Sequence, residues 1–449
     1  MEHRHHSTSL INLNISPERR LIRSTGSNRY IAFRVTVDHI STPEEPARRP
    51  LQLALVLDRS GSMQGDKLRT AKKAALAVLD RLNPRDSVSV VVFDSSIDTV
   101  QELAPVTSDL KQKVRLALDS IEARASTALH EGWLTGCNGI ARSVADSAGR
   151  GLARCFLLTD GIANVGVTDP ERIASEAAGV REHTGISTST FGIGYDYNEL
   201  LLGPMAVAGG GQFHHLRSSD EMINTFVGEL GALLSVAAHQ VRLEIEADRG
   251  VSLDLISSYW LRSDDGERAR WSIAIGDLQS DEERQVVVRC AFPSQDGQRE
   301  QRVVRARLVW QVDGTERATD WQDLRFSYAG QGACDDEPQD PEVMELVGLH
   351  EADRARREAV VKNNRGDVAG ARRDLQRAKA RMAPYALQSP QLQAEMDELG
   401  WMDEEMERAP MAPGYAKEVY YGQQRRSRGQ TDYRGAPSPE LPGDEKDKK

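Results

Sequence analysis

The sequence predicts an α/β fold: a doubly wound, mostly parallel sheet inserted in an antiparallel β-sandwich and followed by a C-terminal helical hairpin. Three observations carry this. The first is the uncharged run Leu51 to Leu57, which ends in Asp58. A run that apolar and that short marks a strand buried on both faces, as in parallel sheets covered by helices. The second is the order from Leu51 to Ala237, read as strand, helix, strand, strand, helix, helix, strand, helix, strand. Such alternation builds a mostly parallel sheet with helices on both faces. The third is the change beyond Ala237, where strand-like segments follow one another at short intervals and give way to helical periodicity only after residue 340.

Residues 1–47 supply the first strands of the sandwich: LINLNI and YIAFRVTV alternate polar and apolar side chains, and STPEEPARRP reads as a linker. Two strands are not stable alone in water, so their partners are expected after the sheet domain. Residues 48–237 are that domain. Asp66 to Leu82 places Leu68, Ala71, Ala75, Leu79 and Leu82 at helical spacing, and Asn83-Pro84 stops it. SVSVVVF, Ser87 to Phe93, is the next strand, with IDTVQEL beside it at an edge. Asp109 to Ile121 and Ala128 to Ser147 read as helices, and Asp169-Pro170 starts another with a cap and a first-turn proline. Ile186 to Gly194 is a strand, Gly209-Gly210-Gly211 a loop, and Ser219 to Ala237 a closing helix.

Residues 238–330 hold QVRLEIEA, VSLDLI, ARWSIAIG, RQVVVRCAF, QRVVRARLVWQV and WQDLRFSY, the rest of the sandwich. Residues 341–407 form the hairpin. Leu346, Leu349, Ala352, Ala355 and Ala359 share one face of Val343 to Val361, Asn363 to Gly366 turns the chain, and Val368, Ala371, Leu375, Ala378 and Met382 face back. A third helix, Pro390 to Glu407, is expected to pack across them. The pair looks like one tetratricopeptide-type hairpin without a repeat. Residues 408–449, rich in Pro, Gly and charge, are expected to be disordered. Tyr415, Tyr420, Tyr421, Arg425, Arg426 and Arg428 give that tail a composition that could dock on a partner.

A formal net charge of -11 excludes a general nucleic-acid binder. No stretch approaches the roughly 18 apolar residues of a membrane span, and MEHRHHSTSL has no hydrophobic signal core. Cys137, Cys155, Cys290 and Cys334 form no Cys-x-x-Cys pair, which fits reduced thiols in a cytoplasmic protein; Cys155 reads as buried filler.

The chemistry gathers where the first strand ends. Alternate side chains of an extended segment share a side, so Asp58, Ser60 and Ser62 point to one spot. Ligands bind beyond the carboxyl ends of such strands. One carboxylate and two hydroxyls are hard donors, suited to Mg2+ or Ca2+. Thr127 stands in ARASTAL just before a helix, and Asp160 ends the apolar run of CFLLTDG, each on a loop at the same edge.

These five residues in order resemble the metal-ion-dependent adhesion site of the von Willebrand factor type A (VWA) family, with its Rossmann-like sheet, over roughly Leu51 to Ala237. FGIGYDYNELLL and AVAGGGQFHHL are similar to bacterial VWA proteins labelled calcium-activated chloride channel homologues; without a membrane span, no channel is expected. The hairpin and tail resemble the C-terminal part of plant VWA proteins that carry a RING-type ligase domain, but no Cys/His zinc pattern is present and no ligase activity carries over. The resemblance implies a divalent ion, Mg2+ or else Ca2+ or Mn2+. Asp58 and Asp160 would act partly through bound water, with hydroxyls from Ser60, Ser62 and Thr127. One position would stay open for a Glu or Asp carboxylate of a partner protein.

A metal-held hydroxyl without a His base is a poor nucleophile, and neither Gly-x-Ser-x-Gly nor a Gly-Lys-Ser/Thr loop occurs. The expected function is therefore non-enzymatic protein binding, in a narrower version an adaptor for an AAA+ ATPase or a protein-modification pathway. The rivals are a metal-dependent hydrolase and a scaffold indifferent to metal. Among secondary candidates, His3, His5 and His6 could chelate a soft metal, and His214 and His215 read as structural strand residues. Asp94 and Asp98 could shape the site's rim or serve turns. Arg365-Gly366-Asp367 falls where a helix turn is required, and Asp196 and Glu199 read as a helix start.

Overall fold

The computed structural model describes residues 11–39, 49–124, 126–146, 151–265, 268–295, 301–312, 315–387 and 389–434. The chain divides into two compact units, one of residues 1–41 and 237–429, the other of residues 42–236 and 430–449. The first unit opens with β1 (Ile11–Pro17), β2 (Leu21–Arg23) and β3 (Ser27–Val37). The second follows as β4 (Leu51–Asp58), α1 (Asp66–Arg81), β5 (Ser87–Phe93), β6 (Ile97–Pro105), α2 (Ser108–Asp119) and α3 (Leu129–Asp146). It continues with β7 (Leu152–Thr159), α4 (Pro170–Thr184), β8 (Ser187–Ile193), α5 (Glu199–Ala208), β9 (Gly210–Leu216) and α6 (Asp220–Leu234).

In the second unit the strands run in the order β6-β5-β4-β7-β8-β9, parallel except for the edge strand β6. All residues of β4 and β7 are buried. That is why their sequences lack polar alternation: both faces meet helices. On one side Leu53, Leu55, Leu57, Phe156, Phe191 and Phe226 share a core. Gly136 of α3 lies so close to β4 that a Cβ there would stand 2.3 Å from Val56 Cγ2. The glycine run expected as a loop instead opens β9, because Gly211 runs against Thr188, whose carbonyl oxygen a Cβ would approach to 2.2 Å. The helix ahead of it, α5, is capped by Asn198, whose Oδ1 accepts from the Leu200 N–H at 3.0 Å, rather than by Asp196.

The chain then returns to the first unit with β10 (Val236–Ala247), β11 (Ser252–Leu255), β12 (Trp260–Asp265), β13 (Ala269–Gln279), β14 (Glu283–Phe292), β15 (Gln301–Val312), β16 (Thr315–Ala318) and β17 (Gln322–Ala329). One sheet runs β1-β3-β14-β11 and the other β12-β13-β10-β15-β17-β2, with β16 on β15. Their inner faces share a core that includes Ile31, Phe33, Val288, Ile245, Leu308 and Phe326. β3 pairs with β14 along its length, Ile31 opposite Val288, so strands from before and after the α/β domain lie in one sheet.

The helices are α7 (Gln331–Asp336), α8 (Pro341–Asn364), α9 (Val368–Ala386), α10 (Pro390–Arg408) and α11 (Pro413–Ser427). Arg365-Gly366-Asp367 is the turn between α8 and α9: Gly366 takes φ +79°, and Asp367 caps α9 by accepting from the Gly370 N–H at 2.8 Å.

The expected disorder from residue 408 is corrected by α11, an additional helix in the bundle. Ala416, Val419, Tyr420, Gln423, Gln424 and Ser427 are all buried. Ser427 Oγ accepts from the Ser258 N–H at 2.9 Å, and Ser258 Oγ donates to Gln423 Oε1 at 3.2 Å. Those positions follow helical spacing, but half of them are polar, so an apolar stripe is not what the sequence displays. Residues 435–449 of the expected tail lie outside the described residues. Burial of Tyr420 and Tyr421 alone is worth about 3 kcal/mol, and for a unit of this size that is roughly 6–12 °C. A chain ending at Pro410 is therefore expected to melt lower by that much in calorimetry; an unchanged transition would show the helix to be dispensable.

Candidate metal centre

Asp58 is the last residue of β4 and is fully buried, as is Asp160, directly after β7. Beyond Asp58 the chain leaves the sheet and makes a single 3₁₀ turn, Gly61–Met63, before α1. Met63 anchors that turn in the core at 0% exposure, while Ser62 beside it is exposed. The turn aims the serines back at the strand end. The Ser60 N–H donates to Asp58 Oδ1 at 2.7 Å, the Ser60 and Ser62 hydroxyls lie 3.1 Å apart, and Ser62 Oγ donates to Asp160 Oδ1 at 2.6 Å. Thr127, buried just before α3, enters from the third loop. Gly161 locates the meeting point: a Cβ on it would lie 3.2 Å from Thr127 Oγ1, 3.4 Å from Ser62 Oγ and 3.8 Å from Asp58 Oδ2. All five residues named from the sequence are thus brought to one spot.

Residues not named from the sequence hold them there. Thr159 Oγ1 donates to Asp58 Oδ2, and the Lys67 ammonium pairs with Asp160 Oδ2. Asn164 ties two loops together, its Oδ1 accepting from the Thr127 N–H at 2.9 Å and its N–H donating to the Thr127 carbonyl at 3.2 Å. Asp94 and Asp98 act through arginines. Asp94 Oδ2 accepts from Arg59 Nε at 2.9 Å and Arg124 Nε at 2.6 Å, and Asp98 pairs with both guanidiniums. Asp94 also closes its own turn, Oδ1 accepting from the Ser96 N–H at 2.7 Å. Burial would raise its carboxyl, but the Ser96 and Arg124 hydrogen bonds and the Arg59 charge carry it down to about 2. Thr159 and Asn164 had a sequence signal, as polar residues flanking Asp160. Arg59 and Arg124 had none, since exposed arginines on loops look the same.

The donor set fits a small hard cation. It consists of two carboxylates and three hydroxyls, all oxygen. Among the described residues no group of three or more His, Cys, Asp or Glu could hold a metal. The other candidates lie elsewhere. His214 and His215 are buried on β9, His214 Nε2 3.1 Å from Glu229 Oε2 and His215 Nδ1 2.7 Å from the Tyr197 hydroxyl. All four cysteines are buried and unbridged. His3, His5 and His6 lie outside the described residues.

Burial pushes the Asp58 carboxyl up to about 6, with Thr159 and Ser60 hydrogen bonds opposing and the Asp160 charge adding to the rise. A carboxyl raised in the folded state binds its proton more tightly there than in the unfolded chain. Its contribution to stability is therefore full below about pH 4 and is lost as pH rises to about 6, by roughly 3 kcal/mol. In EDTA, native-state hydrogen exchange of the Leu51–Asp58 amides should show Asp58→Asn gaining about that much on wild type between pH 4 and 7. A gap that stays constant over this range would refute the assignment.

The family model for the von Willebrand factor type A domain matches residues 52–228. An uncharacterised protein of Synechocystis is 29% identical over 244 residues, covering 53% of this chain and 56% of that protein. Human inter-alpha-trypsin inhibitor heavy chain H4 is 30% identical over 183 residues, 38% of this chain and 19% of that protein. The chain thus spans about half, or much less, of the length of these relatives. A solved structure, a von Willebrand factor type A protein from Catenulispora acidiphila, aligns with a TM-score of 0.69 at 16% identity over 93% of this chain and 97% of that one. Residues 52–228 are a von Willebrand factor type A domain.

Proposed function

We propose that the VWA domain binds a partner protein through a divalent ion, Mg2+ in the first instance and Ca2+ or Mn2+ as alternatives, held by Asp58, Ser60, Ser62, Thr127 and Asp160. The observation that carries the reading is the convergence of Thr127, Ser62 and Asp58 oxygens beside Gly161, where a Cβ would stand 3.2 Å, 3.4 Å and 3.8 Å from them. When bound, the ion supplies a positive charge able to take a carboxylate from outside. The chain's own residues orient that event. Thr159 and the Ser60 N–H fix the Asp58 carboxylate, Asn164 sets the height of the Thr127 loop, and the Arg59, Arg124, Asp94 and Asp98 pairs lock the loops around them.

The surroundings suit a protein partner. Ile162, 59% exposed, stands two residues past Asp160, and Tyr195, 50% exposed, follows β8 at the same sheet edge. Large apolar side chains left in water beside a polar centre are what binding surfaces present. The proposed partner chemistry is a Glu or Asp flanked by apolar contacts, and the activity is binding without turnover. Among the described residues no helix is long and apolar enough to cross a membrane. An adaptor role in an AAA+ or protein-modification pathway is the narrower form of this proposal.

The test is co-purification from the source lysate with Mg2+, with EDTA, and with Thr127→Ala. The partner is expected in the first arm and at least ten-fold depleted in the other two; equal recovery in all three would favour a scaffold indifferent to metal. Hydrolysis of generic phosphoester substrates that Mg2+ supports and Asp58→Ala abolishes would replace binding by catalysis. In a second measurement, Gly161→Val should fill the convergence point and abolish Mn2+ binding in calorimetry while leaving the circular dichroism spectrum unchanged. Retained binding would place the ion elsewhere.

A further inference from the structure

Asp160 has two oxygens, and one of them is already held by a cation of the chain itself. Oδ1 accepts from Ser62, and Oδ2 takes the ammonium of Lys67. Lys67 is the second residue of α1, so its backbone is fixed by the helix while its side chain reaches solvent, 29% exposed against 0% for Asp160. The arm passes a bare stretch of backbone at Gly194, which takes φ +70° and where a Cβ would sit 3.9 Å from Lys67 Nζ and 4.0 Å from Cε. Solvent on one side and no side chain on the other leave the ammonium a way out.

Asp58 differs: its partners are Thr159 and Ser60, dipoles rather than a charge. Of the two buried carboxylates, one is therefore neutralised from within and the other is not. A divalent ion taking both would come within a few ångströms of the ammonium, and like charges at that separation in a partly desolvated site repel strongly. Resting on the metal-site reading above, we propose that Lys67 is a tethered cation which holds Asp160 when no divalent ion is bound, so that ion entry is an exchange in which the ammonium leaves. The lysine keeps the ion-free domain folded around a buried carboxylate. It also sets the affinity for the ion below what the five donors alone would reach.

The experiment titrates Mn2+ into the full chain by calorimetry and by electron paramagnetic resonance of free Mn2+, for wild type, Lys67→Met, Lys67→Gln and the exposed control Lys73→Met. Thermal melts are run in EDTA and in Mn2+. Both Lys67 variants are expected to bind Mn2+ about ten-fold or more tightly than wild type, and Lys73→Met to match wild type. In EDTA the Lys67 variants should melt several degrees lower, and Mn2+ should restore them. If wild type binds Mn2+ and the Lys67 variants bind it equally or more weakly, the exchange is wrong and the metal site stands. Equal tightening in Lys73→Met would reduce the effect to general surface charge and overturn the exchange as well. Absence of binding in all four chains would overturn both readings. The Gln variant reports in the same way if the Met variant does not fold.

Discussion

A carboxylate cut off from water at the end of a central strand is the constraint on which the upper edge of the α/β domain depends. Asp58 closes a strand with no exposed residue, and a buried carboxyl must find donors or stay protonated. The chain gives it the Thr159 hydroxyl and the Ser60 amide, which draws the end of β7 and the turn after β4 to the same place. Once those are fixed, the short turn anchored by Met63 carries Ser62 to Asp160, to which its hydroxyl donates at 2.6 Å.

The loops that complete the arrangement are held by charge rather than by packing. Arg59 and Arg124 share Asp94 and Asp98, and three backbone bonds run alongside: the Arg59 N–H to the Phe93 carbonyl, Arg124 to Arg59, and Ala128 to Asp94. Arg59 and Asp94 are both buried, so that pair is shielded from salt in a way that the exposed Arg124–Asp98 pair is not. A rigid frame of this kind suits a site that must keep oxygens in register whether or not a ligand is present.

Much of this was legible in the chain, and the reasons differ by element. β4, β5 and β7 declare themselves because burial on both faces leaves them dominated by apolar residues, without the polar alternation of a half-buried strand. The five oxygen-bearing residues were found because each follows an apolar run or precedes a helix. The start of β9, whose His214 and His215 read as strand residues, was placed too late, because glycine, usually a loop residue, is required there by the closeness of Thr188. α11 was missed because its buried face is made of Gln and Ser as much as Val and Tyr. Lys67 was missed because a lysine in the first turn of an amphipathic helix looks like solvated surface, and only the fold brings Asp160 beneath it.

The pairing of β3 with β14, Ile31 against Val288, bears on how the polypeptide is made. The opening strands emerge from the ribosome long before their sheet neighbour exists. At ordinary translation speeds the wait is on the order of 10–50 s. In that interval the whole α/β segment is synthesised, so every strand of its own sheet is present before β14 exists. The nascent sandwich half must meanwhile keep its strands from sticking to neighbours, because β1 and β3, which pair along Ile11 to Pro17 in the finished sheet, are two strands that are not stable alone in water.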